Sequence, residues 1–186
     1  EEIQRDERGD DLLRRAFALA VDRKRIVEKI TRLGERPATS FTPPGAGQDY
    51  QPPPGPEFNP KLAKELLAQA GFPEGRGLPR VEYLYLPLPV EKNIAVELQA
   101  MWKENLGVEV SLTKQEQKIW LSSMRELSYD ICRSSWVGDF NDADVQEVRL
   151  LEAGRAWAAD GAPAGALLTL GRLAERCRSR RESLRG

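Results

Sequence analysis

The sequence predicts an α/β fold in which a small, mainly parallel sheet is flanked by helices. Three apolar runs suit strands, at 81–86, 108–112 and 129–136, and two runs with helical spacing separate them, at 90–106 and 119–127. Because crossovers between strands of one sheet are right-handed, this order makes the strands parallel. The carboxyl ends of the three strands are therefore expected at one edge of the sheet.

Helices are also predicted before the first strand. Apolar residues recur at helical spacing from residue 12 to residue 20, and Asp22 provides an N-cap for a second, short helix that is closed by Gly34. Residues 1–11 are charged throughout and are predicted to form a flexible N-terminal segment.

Prolines recur through residues 37–60, which excludes a helix or a central strand and predicts an extended connection. Tyr50 and Phe58 are candidates either to hold this connection against the body or to contact a ligand. Asn59 and Pro60 then form a strong helix start, an N-cap followed by proline at the first helical position.

Composition excludes several function classes. The chain has 28 Lys and Arg against 29 Asp and Glu, so its charge gives no reason to expect a nucleic-acid partner. It has no histidine, which excludes Ser-His-Asp and Cys-His nucleophiles and histidine zinc sites. Cys132 and Cys177 form no C-x-x-C pair, and no metal or cofactor is predicted. No apolar run approaches the ~20 residues of a membrane helix.

The stretch 131–144, ICRSSWVGDFNDAD, is the strongest candidate for a binding site. It begins as an apolar strand and ends in polar side chains behind Trp136, the first of which is Asp139. In open α/β sheets, ligands bind outside the carboxyl ends of the strands. We therefore predict that Asp139 faces a ligand, with Trp136 beside it.

Along residues 12–144 the chain resembles the C-terminal lobe of the oligopeptide- and dipeptide-binding proteins, family 5 of the ABC transporter solute-binding proteins. The motifs that carry the resemblance occur in the same order and at similar spacing: LRRAFALAVDRKRIVEKI, FTPPG at 41–45, FNPKLAKELLAQAGFPEGRGLP, QAMWKENLGVEVSL and YDICRSSWVGDFNDAD. The resemblance implies one lobe of a type II periplasmic-binding-protein-like fold and a binder rather than an enzyme. It also implies periplasmic or cell-surface location, a peptide ligand, a larger N-terminal lobe and a membrane permease.

The resemblance also implies roles for individual residues. In the oligopeptide binders, the aspartate three residues after the strand-end tryptophan pairs with the peptide α-ammonium, and Asp139 matches it. An arginine three residues before the tryptophan receives a peptide carboxylate in some members, and Arg133 matches that one. A second arginine would fall at Met124, with Arg125 one position away, which leaves carboxylate recognition open. The expected site is Arg133, Trp136, Val137, Gly138, Asp139 and Asn141.

Residues 145–186 depart from the family pattern and are predicted to form a divergent segment with an arginine-rich tail. Part of it is similar to a later family segment, a helix followed by a strand, brought forward by a deletion; a frameshifted or engineered end is the alternative.

Two other functions stay open. Asp139, Asp142 and Asp144 could serve a metal-dependent enzyme, although the glycine and distant glutamate of a calcium loop are lacking. The tail could instead act as an interaction module.

Overall fold

The computed structural model describes residues 2–38, 40, 55–133 and 168–170 of the 186-residue chain. Its elements are α1 Glu2–Leu19, α2 Arg23–Ile26 with a π-helical continuation Val27–Thr31, α3 Pro60–Gln69, a 3-10 turn Pro73–Gly75, β1 Val81–Tyr85, α4 Pro89–Leu106, β2 Val110–Lys114, α5 Gln117–Arg125, β3 Ile131–Arg133 and β4 Leu168–Leu170. Across these described residues, no helix combines the length and apolarity that crossing a membrane requires.

The sheet has the strand order β2-β1-β3-β4. Strands β1, β2 and β3 are parallel, with Val81 opposite Val110 and Tyr83 opposite Ile131. This confirms the predicted α/β fold with a small, mainly parallel sheet. The fourth strand lies in the divergent segment, where the resemblance to a later family segment implied a strand, and it pairs antiparallel with β3.

The first helix begins at Glu2, earlier than the predicted start near residue 12. The segment predicted to be flexible, residues 1–11, therefore contributes to α1 from Glu2 onward. Glutamate, glutamine and arginine have high helix propensity, and no proline interrupts this stretch, so its polarity did not prevent a helix. The domain boundaries drawn from the sequence remain predictions.

Side chains of α4 donate hydrogen bonds to backbone carbonyls at the carboxyl end of helix α1. The indole N–H of Trp102 donates to the carbonyl of Phe17 at 3.1 Å, and the side-chain amide of Asn105 donates to the carbonyl of Ala20 at 2.8 Å. The last carbonyls of a helix lack intrahelical partners, so these two bonds supply donors to carbonyl groups that would otherwise have none within the helix. The Trp102 side chain is fully buried in the main core, with its ring centroid 5.5 Å from that of Phe17.

The proline-rich connection is held at its described end by backbone groups. The carbonyl of Pro56 accepts from the guanidinium of Arg23 at 3.2 Å, and the Asn59 N–H donates to the carbonyl of Leu19 at 2.9 Å. Asn59 also caps α3, accepting from the Leu62 N–H at 3.0 Å, which confirms the predicted helix start. Phe58 is 43% exposed and does not anchor the segment. Tyr50 lies outside the described residues.

Gly107 ends α4 as predicted, with φ at +72°. A Cβ there would lie 2.8 Å from the carbonyl oxygen of Glu74, so both the conformation and the space require glycine. We expect Gly107→Ala to lower the free energy of unfolding by about 2–3 kcal/mol, from left-handed strain and the backbone clash together. Urea denaturation measures this loss.

Gly77 offers a matched control, because its φ is +79° while nothing lies within 4 Å of its added Cβ. Gly77→Ala should therefore cost only the left-handed strain, about 1–2 kcal/mol. Equal losses at the two glycines would mean that the approach of Glu74 to Gly107 contributes nothing.

Candidate functional site

The carboxyl ends of the three parallel strands meet at one edge of the sheet. Tyr85 and Lys114, the last residues of β1 and β2, are partners in the register, and Gln115 continues the pairing by donating its N–H to the Tyr85 carbonyl at 3.0 Å. Leu84 is opposite Cys132, so Arg133 at the end of β3 lies level with Tyr85. Helix α4 begins after β1 and presents its N-terminal turn at the same edge.

Arg133 is bound at this edge by Glu91. The guanidinium Nη1 of Arg133 donates to Oε1 of Glu91, which belongs to the first turn of α4. The Glu91 side chain is 6% exposed, whereas that of Arg133 is 33% exposed. Because the N-terminus of a helix carries partial positive charge, α4 and Arg133 both stabilise the carboxylate. The ion pair therefore joins a strand end to a helix start, with its arginine side open to solvent.

Tyr83 lies on the same face of the sheet as this pair. Burial raises the pKa of its phenol, an effect that the nearby positive charge of Arg133 partly offsets. Within the described residues, the Tyr83 hydroxyl has no hydrogen-bond partner. The rings of Tyr83 and Tyr85 are stacked with centroids 6.5 Å apart, so an aromatic surface leads from the core to the edge.

The opposite face of β3 is covered by side chains of α5. Cys132 is fully buried in a small cluster with Leu84 and Tyr129, and Trp120 and Met124 of α5 pack against it. Burial raises the pKa of the Cys132 thiol to about 12, so this thiol is neutral near pH 7 and does not act as a nucleophile. Met124, where some family members would have a second arginine, belongs to this packing.

Apolar side chains are exposed in the connections at the carboxyl edge. Leu88 at the N-cap of α4 and Val90 in its first turn are 50% and 42% exposed, and Ile119 in the first turn of α5 is 58% exposed. Exposed apolar residues grouped at one edge are typical of a surface that contacts another molecule. The edge therefore combines a partly exposed cation with apolar contact area.

The structure describes only one of the six predicted site residues, Arg133. Trp136, Val137, Gly138, Asp139 and Asn141 lie outside the described residues, as do Asp142 and Asp144, so their assigned roles stay predictions. In the described part of the chain, no group of three or more acidic or cysteine side chains is arranged to hold a metal ion.

Sequence reasoning missed Glu91. The signal was available, because an acidic residue in the first turn of a helix that follows a strand lies at the edge where parallel strands end. The apolar spacing of α4 predicts its buried face and assigns no role to the acidic residue in its first turn.

Comparison with known proteins identifies the family. The profile described as "Bacterial extracellular solute-binding proteins, family 5 Middle" matches residues 8–155. The periplasmic murein peptide-binding protein MppA of Escherichia coli is 36% identical over 146 residues, covering 75% of this chain and 27% of that protein. The periplasmic oligopeptide-binding protein OppA of Salmonella typhimurium is 35% identical over 139 residues, covering 72% and 25%.

Solved structures agree with the sequence matches. An oligopeptide-binding protein of Borrelia burgdorferi, OppAIV, superposes with a TM-score of 0.71 at 29% identity, covering 78% of this chain and 29% of that one. OppA of Haemophilus influenzae, solved in complex with RPPGFSPFR, superposes with a TM-score of 0.67 at 27% identity, covering 94% and 37%. These neighbours confirm the predicted type II periplasmic-binding-protein-like lobe.

The chain spans about a quarter of the length of the curated relatives it matches. The profile nevertheless covers most of the sequence, the relatives exceed 30% identity, and the described residues form the small, mainly parallel sheet with flanking helices that was predicted. The chain therefore belongs to the bacterial extracellular solute-binding proteins of family 5.

Proposed function

We propose that this chain is one lobe of the peptide-binding component of an ABC-type oligopeptide or dipeptide importer. The observation that carries the proposal is the family match to proteins named for murein peptide and oligopeptide binding. Such a component binds its ligand without transforming it and works with a membrane permease. Two of these relatives are named as periplasmic, and we propose the periplasm or the cell surface for this protein.

The chemistry of the carboxyl edge suits a peptide. Asp139 follows the end of β3 by six positions, so we propose that its carboxylate pairs with the ligand's α-ammonium, with Trp136, Val137, Gly138 and Asn141 completing the contact. A charge-assisted hydrogen bond of this kind is strong and specific for the ammonium group. The exposed Leu88, Val90 and Ile119 supply contact that does not depend on peptide sequence.

A second lobe is needed for tight binding. One open wall leaves the Asp139 pair screened by water, which weakens it severalfold compared with a closed cleft. We propose that an N-terminal lobe of the same protein supplies the other wall and that the present chain alone binds peptide weakly. Millimolar or tighter specific binding by the 186-residue chain alone would contradict this view.

The test is calorimetric titration of a mixed tri- to pentapeptide pool into the chain, alone and together with the separately produced N-terminal lobe. Heat that appears only with both lobes supports a peptide receptor. Absence of heat in both arrangements would overturn the proposed function. A shift in melting temperature on adding Ca²⁺ or Mg²⁺ would instead favour a metal-dependent domain.

Asp139→Ala should abolish most of this affinity. Removing one partner of a buried charge pair costs about 2–5 kcal/mol, because the other charge is left desolvated. This corresponds to a loss of about thirtyfold to several thousandfold in affinity. Asp142→Ala removes the same charge three positions later and should change affinity less than about threefold. Similar losses in both variants would mean that net charge, and not a specific pair, attracts the peptide.

A further inference from the structure

The Glu91–Arg133 ion pair affects whether the site can bind the carboxylate end of a ligand. Arg133 is the residue expected to receive a peptide carboxylate, yet the protein's own Glu91 already occupies its Nη1. Glu91 is nine-tenths buried and sits in the first turn of α4, so it cannot swing into solvent without unpacking the helix start. The arginine therefore meets an incoming ligand with its charge largely neutralised.

We propose that Glu91 is a specificity-determining residue that prevents Arg133 from binding a ligand carboxylate and leaves it to donate to an uncharged carbonyl. The preferred ligand then has an amide or an interior peptide bond at this point, and a peptide that ends here with a free carboxylate is disfavoured. The ligand class in this inference rests on the proposed function. The electrostatic argument depends only on the Glu91–Arg133 pair.

The chemistry follows from the donor geometry of arginine. A guanidinium has five N–H donors, and Glu91 occupies only one of its nitrogens, so the solvent-exposed side keeps donors free for an acceptor. A neutral carbonyl can accept from them without electrostatic cost. A carboxylate there would lie close to the Glu91 carboxylate in a partly desolvated site, where like charges repel strongly.

The exposed surroundings do not reverse this preference. Tyr83 lies on the same face, and burial raises the pKa of its phenol, so it is neutral near pH 7. Within the described residues, Glu91 forms its ion pair with Arg133 and with no lysine or second arginine. The charge of Arg133 itself is therefore balanced by Glu91, which weakens the attraction that a carboxylate would need at this residue.

The experiment uses the full chain labelled with ¹⁵N and follows the Arg133 Nε–H signal by NMR. Sodium acetate is the carboxylate probe, acetamide is the neutral probe, and the comparison is between the native chain and Glu91→Gln. In the native chain, acetate should shift the Arg133 signal no more than acetamide does. In Glu91→Gln, the dissociation constant for acetate should fall at least about tenfold.

Glu97→Gln is the matched control. Glu97 lies on the same helix and pairs with Arg25 instead, so its change should leave the Arg133 response to acetate as in the native chain. An equal response to acetate in the native chain and in Glu91→Gln, whether strong or absent, would overturn the proposal. The native-chain comparison of acetate with acetamide needs no variant and decides the question even if Glu91→Gln folds poorly.

Peptides then separate this inference from the proposed function. Trialanine and trialanine amide are titrated into the native chain together with the N-terminal lobe. Equal or tighter binding of the amide supports both proposals, and a preference of tenfold or more for the free acid overturns the role of Glu91 alone. If neither peptide binds while acetate behaves as expected, the peptide function fails and the role of Glu91 stands.

Discussion

Trp102→Ala is expected to lower the free energy of unfolding by about 3–5 kcal/mol, the usual cost of removing a large buried aromatic side chain. Trp102 is fully buried between two layers, with its ring centroid 5.5 Å from that of Phe17 in α1 and 6.0 Å from that of Tyr83 in β1. Its loss leaves a cavity where helix α1, helix α4 and the sheet meet, and the closely packed surroundings relax only in part.

Trp102→Phe separates packing from hydrogen bonding at this position. The smaller ring keeps aromatic contact but loses the indole N–H, which leaves the buried Phe17 carbonyl without its donor. Such a loss costs about 1–3 kcal/mol. Guanidinium denaturation of both variants, with the slope checked for two-state behaviour, measures the two losses. If phenylalanine proves as costly as alanine, the hydrogen bond and not the packing dominates.

Trp102 also shows why much of this fold is predictable from sequence. Its spacing with Ile94, Leu98 and Met101 marks the buried face of α4, and all four are buried in the main core. Asn59 before Pro60 and Gly107 after Leu106 act through their own backbone neighbours, so local chemistry determines where α3 begins and α4 ends. Signals of this kind need no knowledge of distant contacts.

What the sequence did not reveal depends on distant contacts. The resemblance implied a strand in the segment of β4, but the three residues of β4 have no pattern that specifies β3 as the partner or an antiparallel direction. Glu91 and Arg133 are 42 positions apart, and nothing in the sequence indicates that their two side chains pair. The early start of α1 has another cause, since its first turns are charged and lack the apolar periodicity that indicates a helix.

The candidate site also has one feature that the sequence predicts and one that it does not. The order of strands and helices predicted that β1, β2 and β3 would be parallel and end at one edge, and the register confirms that they are parallel. Arg133 entered the expected site through the family resemblance and not through this order. The order of elements could not predict that Arg133 forms an ion pair with Glu91. Such a pair depends on how the end of β3 is positioned relative to the first turn of α4. The position of a binding group is thus a property of topology, while its available charge is a property of packing.

Arg133→Met is expected to lower the free energy of unfolding by about 3–5 kcal/mol, because it leaves Glu91 buried without its counter-charge. The two partners are unequal, since the Glu91 side chain is 6% exposed and that of Arg133 is 33% exposed. Methionine keeps most of the aliphatic stem, so the loss reports the charge more than the volume. Glu91→Gln should cost less, about 1 kcal/mol, because the arginine left behind still reaches water.

Arg25→Met is the control for an arginine of equal exposure. The side chain of Arg25 is also 33% exposed, but its nearer partner, Glu97, is 17% exposed and its other partner, Glu104, is 67% exposed. Water can therefore solvate the carboxylates that it leaves behind, and we expect a loss of about 1–2 kcal/mol. Urea denaturation of the three single variants and of the double variant Glu91→Gln with Arg133→Met completes the comparison.

The double variant decides what the pair contributes. If burial of an unpaired Glu91 is the cause, neutralising Glu91 should recover most of the Arg133→Met loss, so that the double variant is more stable than Arg133→Met alone. Simple addition of the two single losses would show instead that the residues act independently. The pair would then contribute no more than two surface charges, and Arg133 would be free to bind a carboxylate.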